Sequence, residues 1–301
     1  MNNILIVGTI ALDDIDTPFG SAKKALGGSA TYCAFASSLF SPTSVVSIIG
    51  NDFPADYLKK FARKKINTES IIKIGKTFRW QGSYQFDMGE AKTIKTQINN
   101  LKNFKPKLSK SNLKSKYILV ANVDPQIQLD IINQIRPLTG RIIMADTMDY
   151  WISNKRKDLM CVIEKIDILL LNDNEARQLF DEPNLIRAGR KSLNAGPEYV
   201  IIKKGEHGAL AFANDWFFSA PSYPLENLID PTGAGDSFAG ALIGCLAKAK
   251  KFERKNIKKA IIYASAVASF VAEDFSTKKL EKINTKQIEE RFLIFKKIRE
   301  F

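Results

Sequence analysis

The sequence predicts an α/β protein with a central, mostly parallel sheet that carries helices on both faces. Short β-branched runs alternate with segments of helical spacing along the whole 301-residue chain. The runs are almost continuously apolar, as expected for strands that are buried on both sides. No linker, low-complexity segment or internal repeat interrupts the alternation, so we expect residues 1–301 to form one domain.

The predicted elements follow one another in the order that such a fold requires. Segments predicted as strands are short and apolar, and those predicted as helices repeat their apolar residues at every third or fourth position. The predicted strands are residues 4–7, 45–49, 117–123, 141–145, 168–171 and 199–203. The predicted helices are residues 30–39, 54–65, 126–135 and 174–180.

The chain is basic, with 45 Lys and Arg residues against 32 Asp and Glu residues and a net charge of +13. The lysines are scattered over helix faces and loops, without the interleaved aromatic residues of a nucleic-acid surface. We therefore expect no nucleic-acid partner. A solvated basic surface that favours anionic ligands in general accounts better for this charge.

The remaining bulk features predict a cytoplasmic protein with no membrane partner. The first residues are too few and too poor in basic side chains for a signal peptide, and no apolar run is long enough to span a bilayer. The three cysteines, Cys33, Cys161 and Cys245, lie in apolar helical segments without metal-ligand spacing. They are expected to be reduced thiols in the core.

The most informative segment is residues 230–240, Asp-Pro-Thr-Gly-Ala-Gly-Asp-Ser-Phe-Ala-Gly. Gly233, Ala234 and Gly235 place small residues where an apolar helix begins, so unpaired backbone N–H groups can point into one space and bind an anion. Asp236 lies at the mouth of that space, where a carboxylate could accept a hydroxyl proton. The alternative is an aspartate that caps a core helix behind a glycine turn.

This segment resembles the C-terminal signature of the ribokinase, or PfkB-type, carbohydrate kinases almost residue for residue. The resemblance implies a ribokinase-like fold and an ATP-dependent transfer of a phosphoryl group to a hydroxyl of a small sugar-like acceptor. Asp236 would take the proton, the amides of the preceding loop would hold the transferring oxygens, and Mg²⁺ would bridge the phosphates. The chain contains neither a P-loop nor a dinucleotide-binding fingerprint.

Two further motifs agree with this resemblance. Asn172 and Glu175 follow a predicted strand, at a spacing that also suits a helix cap with a first-turn acid. The resemblance implies that Glu175 orders Mg²⁺ through water and that Asn172 lies near the phosphates. The turn that begins at Lys203 would cover the nucleotide and place Lys203, Gly205 and Gly208 at ATP.

The resemblance also implies a nucleotide contact from Thr232 and a monovalent cation, such as K⁺, beside Asp230 and Thr232. Residues 272–276 do not match the pattern expected for the remaining cation ligands. His207 is the only histidine in the chain. We predict that it is not catalytic, because it lies on a tight turn and Asp236 already provides a base.

The N-terminal third supplies the predicted acceptor pocket. Gly27 and Gly28 precede a helix and allow the backbone to approach a ligand closely, although a sharp turn alone would explain them. The resemblance places them at the acceptor and implies that Asp13 binds its hydroxyl groups. Weaker candidates lie at or after the ends of the predicted strands that would border this pocket. They are Asn122, Asp124, Asp146 and Trp151.

The chain departs from ribose-type relatives at two positions of this pocket. Those members have asparagine at the position of Ala11 and usually at that of Tyr32. Both replacements remove amide groups that could bind acceptor hydroxyls, while Tyr32 adds a flat apolar surface. Ribose is therefore expected to be a poor acceptor.

One stretch interrupts the alternation of strands and helices. Aromatic side chains recur at alternate positions of residues 78–86, and residues 94–98 repeat the alternation after a turn, which predicts a protruding antiparallel pair with one aromatic face. It is either a plain edge hairpin or a lid that covers the substrate or a second subunit. The resemblance favours a β-lid formed by about residues 13–20 and 76–100, with a homodimer through the lid left open.

Two alternatives to a sugar kinase remain. One is a non-catalytic ligand-binding regulator on the same scaffold, against which the intact Asp236 and its glycine loop argue. The other is a nucleoside kinase of the same fold, because several aromatic residues could stack on a base. These residues are Tyr32, Trp80, Tyr84, Phe86 and Trp151.

Overall fold

The computed structural model describes residues 3–298 and Glu300. Its strands are β1 (Ile4–Val7), β2 (Ala11–Thr17), β3 (Gly20–Gly27), β4 (Thr43–Ile49), β5 (Asn67–Lys73), β6 (Phe78–Ser83), β7 (Lys92–Gln97), β8 (Tyr117–Val120), β9 (Ile142–Ala145), β10 (Ile168–Asn172), β11 (Tyr199–Lys203), β12 (Ala209–Ala213) and β13 (Trp216–Ala220). Its α-helices are α1 (Ser29–Ser38), α2 (Ala55–Arg63), α3 (Pro125–Ile135), α4 (Asp149–Asn154), α5 (Arg156–Ile163), α6 (Asp173–Phe180), α7 (Leu185–Asn194), α8 (Ala234–Ala249), α9 (Arg254–Val271), α10 (Lys278–Lys282) and α11 (Thr285–Ile298).

Within these residues the strands form a nine-stranded main sheet, in the order β13-β12-β11-β10-β9-β8-β1-β4-β5. The strands from β11 to β5 in that order pair in parallel, and β12 and β13 are added antiparallel at one edge. The prediction of a mostly parallel sheet is confirmed. Because the carboxyl ends of parallel strands meet along one edge, residues that follow β1, β8, β9, β10 and β11 are brought close together.

Strand β1 shows why the sheet is covered on both faces. Ile4 and Ile6 belong to a fully buried cluster that includes residues of α1, α8 and α9, whereas Leu5 and Val7 belong to a second cluster with residues of α3 and α5. Successive side chains of a strand point to opposite faces. An apolar residue at every position of β1 therefore requires helices on each side.

The six predicted strands and four predicted helices are all present, with shifts of a few residues at their ends. The strand predicted to reach residue 123 ends at Val120. Beyond that residue the chain turns toward α3, which Asp124 caps by accepting a hydrogen bond from the amide of Gln126 at 3.0 Å. The cap explains why the apolar run continues past the strand without being part of it.

A separate four-stranded sheet, in the order β3-β2-β6-β7, contains the predicted hairpin. The antiparallel pairing of β6 with β7 is confirmed, but the pair is not isolated, because β6 also lies parallel to β2. Strand β6 ends at Ser83, and the Tyr84 amide still donates to the carbonyl of Asp16 at 2.9 Å. Residues 13–20 of the expected β-lid fall on β2 and on the turn into β3, whereas the rest of β3 was not predicted as a strand, because its lysines interrupt the apolar pattern.

The prediction that all three cysteines lie in the core is wrong for Cys161. Cys33 is buried and Cys245 is half-buried, but Cys161 is exposed. It lies on the outer side of α5, whose inner side carries Leu159 and Val162. Among the residues that the structure describes, no helix combines the length and apolarity needed to cross a bilayer.

Candidate active site

The loop before α8 has the geometry of an anion-binding site. Gly233 adopts a φ of 77°, and a Cβ at this position would fall 2.4 Å from Cδ2 of Tyr32, so only glycine fits. The Ala234 amide donates to the carbonyl of Pro231 at 3.0 Å. Within the described residues, the amides of Gly233 and Gly235 make no hydrogen bond. They are free to bind an anion at the positive end of the α8 dipole.

Asp236 stands in the first turn of α8, directly after this loop. Burial, reinforced by the negative charge of Asp146 and opposed by Lys203, raises the pKa of Asp236 from 3.8 to about 7. The Cys33 thiol donates to the backbone carbonyl of Asp236 at 3.2 Å and joins α1 to α8 at this point. A carboxyl group that titrates near neutrality suits a general base better than an ordinary exposed aspartate does.

Asp13 lies on β2 and faces the turn between β3 and α1. Its side chain is buried, and Oδ1 has no hydrogen-bond partner in the described part of the chain. Burial raises the pKa of Asp13 to about 8, although a hydrogen bond from the Gly28 amide opposes the shift. A Cβ at Gly27 would fall 1.8 Å from Oδ2 of Asp13, so the glycine lets the backbone approach the carboxylate. Gly28, with a φ of 92°, turns the chain into α1.

Tyr32 is brought to the same place by α1. Its ring is buried against Gly233, and its hydroxyl has no hydrogen-bond partner among the described residues. Burial raises the pKa of Tyr32 well above its usual value, and the charges of Asp230 and Asp13 add to that effect. The ring therefore packs against the anion loop at Gly233, and the hydroxyl lies near the carboxylates of Asp230 and Asp13.

Tyr84 enters the site from the small sheet. Its hydroxyl accepts a hydrogen bond of 3.1 Å from Oγ1 of Thr232, in the loop before α8. Burial raises the pKa of the Tyr84 phenol, and the charges of Asp230 and Asp13 add to the shift. The small sheet thus contacts the loop that precedes the candidate base Asp236.

Asp230 begins the same loop. Its Oδ1 accepts a hydrogen bond from the Thr232 amide at 2.9 Å, whereas Oδ2 is buried and unpartnered within the residues described. Burial raises the pKa of Asp230, and its hydrogen bonds with Thr232 oppose the shift. Ser276, from the segment after α9, donates through its hydroxyl to the carbonyl of Leu26.

Lys203 and Asp146 form a buried ion pair beneath the loop, with Nζ 2.7 Å from Oδ2. Burial disfavours the charge on Lys203, but the carboxylates of Asp146 and Glu175 outweigh it and hold the pKa of the ammonium above its usual value. Glu175 and Asn172 make a capping box at the start of α6, with hydrogen bonds of 2.6 and 2.7 Å. The helix-cap interpretation of these two residues is therefore confirmed, and it leaves both at the crevice.

Asn122 follows β8, at the carboxyl edge of the main sheet. Its amide oxygen accepts from Nε1 of Trp151 at 2.9 Å, and its amide nitrogen contacts the sulfur of Met148 at 3.1 Å. Asp124 is further engaged by Lys155, with Nζ 2.6 Å from Oδ2. Asn122 and Trp151 thus form one rigid surface, while Asp124 has a structural role at the start of α3.

The turn after Lys203 is a short 3₁₀-helix, Gly205–His207, between β11 and β12. Its backbone is closed by the Lys204 amide, which donates to the carbonyl of Gly208 at 2.8 Å. The His207 side chain is 75% exposed, and its nearest ionic neighbour is Glu206 at 3.9 Å. This exposure agrees with the prediction that His207 is not catalytic.

Two members of the site have only weak signals in the sequence. From the sequence Asp146 is only a weak acceptor-pocket candidate, but in the structure it follows a buried strand and pairs with Lys203. The sequence suggests a role only for the aromatic ring of Tyr84, whereas in the structure its hydroxyl contacts Thr232. A polar residue directly after a predicted parallel strand was the available signal for Asp146. No local signal pointed to the contact of Tyr84.

A model of the pfkB family of carbohydrate kinases matches residues 5–283 of the chain. The chain therefore belongs to that family, as its motifs indicated. It is an enzyme that binds ATP and phosphorylates a hydroxyl group.

Individual relatives include both nucleoside and ribose-type kinases. A cytidine kinase from Thermococcus kodakarensis is 25% identical over 84% of this chain and 91% of its own length. The structure of a nucleoside kinase from Methanocaldococcus jannaschii matches with a TM-score of 0.79 at 19% identity, over 98% of this chain and 99% of that one. A structure described as a ribokinase II from E. coli, with ATP and Mg²⁺, matches with a TM-score of 0.78 at 20% identity, over 98% and 100% of the two chains. The predicted ribokinase-like fold is thereby confirmed.

Proposed function

We propose that this kinase transfers the γ-phosphoryl group of ATP to a primary hydroxyl of a small sugar-like acceptor, with Asp236 as the general base. One observation carries the proposal. A half-buried carboxyl group whose pKa is raised to about 7 stands beside a loop in which, among the described residues, the Gly233 and Gly235 amides have no hydrogen-bond partner. When a hydroxyl group attacks a phosphoryl group, it needs a proton acceptor and, beside it, a set of donors for the phosphoryl oxygens.

In the proposed mechanism the acceptor hydroxyl lies between Asp236 and the terminal phosphate. Asp13, whose Oδ1 is unpartnered within the described chain, binds other hydroxyl groups of the acceptor and fixes its orientation. The proton passes to Asp236 as the acceptor oxygen bonds to phosphorus. The amides around Gly233, Ala234 and Gly235 hold the oxygens of the transferring group, and the positive end of α8 stabilises their charge.

Glu175 is suited to hold Mg²⁺ through water. Burial raises the pKa of its carboxyl group well above the usual value, a shift that a nearby divalent cation would oppose. Mg²⁺ keeps several waters and needs only one or two protein carboxylates when phosphates supply other ligands. When bound, the ion neutralises charge on the phosphate oxygens. Asn172 keeps Glu175 in place through the capping box.

Asp230 is suited to a monovalent cation such as K⁺. The support is its buried Oδ2, which lacks a partner in the described residues and would gain one from a cation. Thr232 is held beside it through its amide. The cation would steady the loop on which Gly233 depends.

A nucleoside is the second candidate acceptor. Two observations favour it: the cytidine and nucleoside kinases among the relatives, and the aromatic surface that Trp151 forms with Asn122. A planar base could stack on such a surface, while the attached sugar presents its hydroxyl groups to Asp13.

The small sheet is proposed as a lid over the acceptor, because Tyr84 brings it onto the loop before α8. Phe86, in the turn between β6 and β7, is 89% exposed, and Ile94 on β7 is 53% exposed. Apolar side chains this exposed suit contact with a second copy of the chain. Light scattering of the parent protein and of a Phe86→Ser variant tests the dimer, and a monomeric parent protein would refute it.

The activity is tested by incubating the protein with ATP and Mg²⁺ and a panel of acceptors that includes ribose, fructose, cytidine and inosine. We expect ADP to be released in the same amount as a phosphorylated acceptor is formed, and mass spectrometry identifies that product. Binding of an acceptor without any turnover would instead indicate the non-catalytic regulator.

A further inference from the structure

The ion pair of Lys203 with Asp146 has an unusual position. Lys203 is the last residue of β11 and Asp146 follows β9, so the lysine side chain crosses the end of β10 to reach its partner. The side chains are only 16% and 4% exposed, and Nζ lies 2.7 Å from Oδ2. A surface pair of this kind would contribute little, but a buried cation must be held by its partners.

The ammonium group lies against the first turn of α8. A Cβ at Gly235 would be 3.5 Å from Nζ of Lys203, so the cation adjoins the backbone of the anion loop. A positive charge at the amino end of a helix is repelled by the helix dipole until an anion enters. An ammonium group carries three N–H donors, and within the described residues Asp146 uses one of them. The other donors are available to an anionic ligand of the loop.

Asp146 is itself held firmly. Its Oδ1 accepts a hydrogen bond from the amide of Thr147 at 3.0 Å, and its backbone carbonyl accepts from Nε2 of Gln128 at 2.9 Å. Gln128 is buried and also donates to the carbonyl of Ala121 at 3.1 Å. The glutamine thus connects the chain segments that follow β8 and β9. These hydrogen bonds fix the position of Asp146, so its carboxylate determines where the Lys203 ammonium group lies.

We propose that Lys203 is a catalytic residue that binds the transferring phosphoryl group, and that Asp146 is the positioning residue that holds its ammonium group against Gly235. The inference rests on the proposed phosphotransferase activity. The acceptor oxygen bonds to the γ-phosphorus of ATP, and the bond from phosphorus to the bridging oxygen breaks. The electron pair of that bond leaves with ADP, and the hydroxyl proton passes to Asp236. Lys203 exchanges no proton and donates hydrogen bonds to the oxygens of the group in transit.

The alternative is that the pair only stabilises the ends of β9 and β11. The two roles predict different effects on nucleotide affinity when the pair is lost. Loss of a purely structural pair changes the affinities for ADP and ATP by the same factor, whereas loss of a contact with the third phosphate weakens the binding of a triphosphate only. The difference can be measured without turnover.

Titration calorimetry with Mg²⁺ and either ADP or the β,γ-imido analogue of ATP makes that comparison. We expect Lys203→Met to weaken binding of the analogue by about thirtyfold or more and binding of ADP by less than about threefold, since a charged hydrogen bond to one phosphoryl group is lost. Asp146→Asn should give the same pattern with a smaller loss. Lys60→Met is the matched control, because Lys60 pairs with Glu281 at 2.8 Å between α2 and α10. It should leave both affinities unchanged.

Gly235→Ala tests the same contact if removal of Lys203 prevents folding. The added methyl group would meet Nζ at an ordinary contact distance, so the fold tolerates it while the methyl narrows the space between the ammonium and the anion. We expect a loss of about tenfold or more for the analogue with an unchanged melting temperature.

Steady-state kinetics completes the test. Lys203→Met should lower kcat about a hundredfold, as loss of a donor to developing charge does, and Asp146→Asn about tenfold, and in each variant KM for ATP should rise in line with the loss of analogue affinity. An unchanged ratio of ADP to analogue affinity in both Lys203→Met and Gly235→Ala would overturn the inference. Absence of turnover in the parent protein would instead count against the proposed function, and the calorimetric ratio would still decide the role of Lys203.

Discussion

The hydroxyl of Tyr84 accepts a hydrogen bond of 3.1 Å from Oγ1 of Thr232, across 148 positions of sequence. Thr232 belongs to the loop that leads into α8, and Tyr84 follows the last residue of β6 in the small sheet. The bond connects the proposed lid to the proposed anion cradle. Closure of the lid and order in the cradle are therefore expected to depend on each other.

Replacing Tyr84 with phenylalanine tests this dependence. The loss of one neutral hydrogen bond costs about 1 kcal/mol of interaction free energy, so we expect kcat/KM for the acceptor to fall about three- to tenfold. Tyr57→Phe is a matched control, because the Tyr57 hydroxyl joins α2 to the small sheet by donating to the carbonyl of Lys24 at 3.0 Å, away from the loop. Equal effects of the two variants would show that Tyr84 merely anchors the sheet.

The base is tested by Asp236→Asn. The amide keeps the shape of the side chain but cannot take a proton, so we expect turnover to fall at least about a hundredfold while ATP binding is retained. Asp158→Asn is the control, because Asp158 is a first-turn acid of another helix, α5. Turnover of Asp236→Asn within a few-fold of the parent would leave Asp236 as a helix-start residue only.

The pH dependence of the reaction follows from the same residue. Burial and the charge of Asp146 raise the pKa of Asp236 to about 7. Because the base must be ionised, kcat/KM for the acceptor at saturating MgATP should fall about tenfold per pH unit below that value and level off above it. The slowed Asp236→Asn variant should lack this limb. A profile that is flat between about pH 5 and pH 8 would contradict the assignment.

The sequence predicted the body of the fold because its strands are apolar throughout and its motifs are local. Gly233 to Asp236 and Asn172 with Glu175 are each close in the chain, so their spacing carries their geometry. The pairing of Lys203 with Asp146 spans 57 positions, and that of Tyr84 with Thr232 spans 148. Such contacts depend on which strand ends become neighbours in the sheet, and residue spacing does not encode that.

Asp13 should make the stability of the protein depend on pH. Its folded-state pKa of about 8 lies above the usual 3.8, so as pH rises between those values the unfolded chain releases a proton that the folded chain retains. This group therefore lowers the free energy of unfolding as pH increases. Asp13→Asn removes the ionisation, and its melting temperature relative to the parent should be higher at about pH 8 than at about pH 5. If the difference in melting temperature between Asp13→Asn and the parent is the same at both pH values, the Asp13 carboxyl is not held protonated in the folded protein.

Acceptor choice is expected to follow from Ala11 and Tyr32. Ala11 is buried at the start of β2, opposite Gly27, and Tyr32 lies against Gly233 with an unpartnered hydroxyl among the described residues. Neither supplies an amide to a sugar hydroxyl, and each missing hydrogen bond costs about 1 kcal/mol.

We therefore expect kcat/KM for ribose to be at least about tenfold below that for the best substituted sugar or nucleoside in the panel. Tyr32→Phe sharpens the test, because it keeps the ring beneath Gly233 and removes only the hydroxyl. If that hydroxyl binds the favoured acceptor, the variant should lose about three- to tenfold for that acceptor and leave the rate with ribose unchanged. Ribose as the best substrate of the parent protein would show that another element supplies the amides that Ala11 and Tyr32 lack.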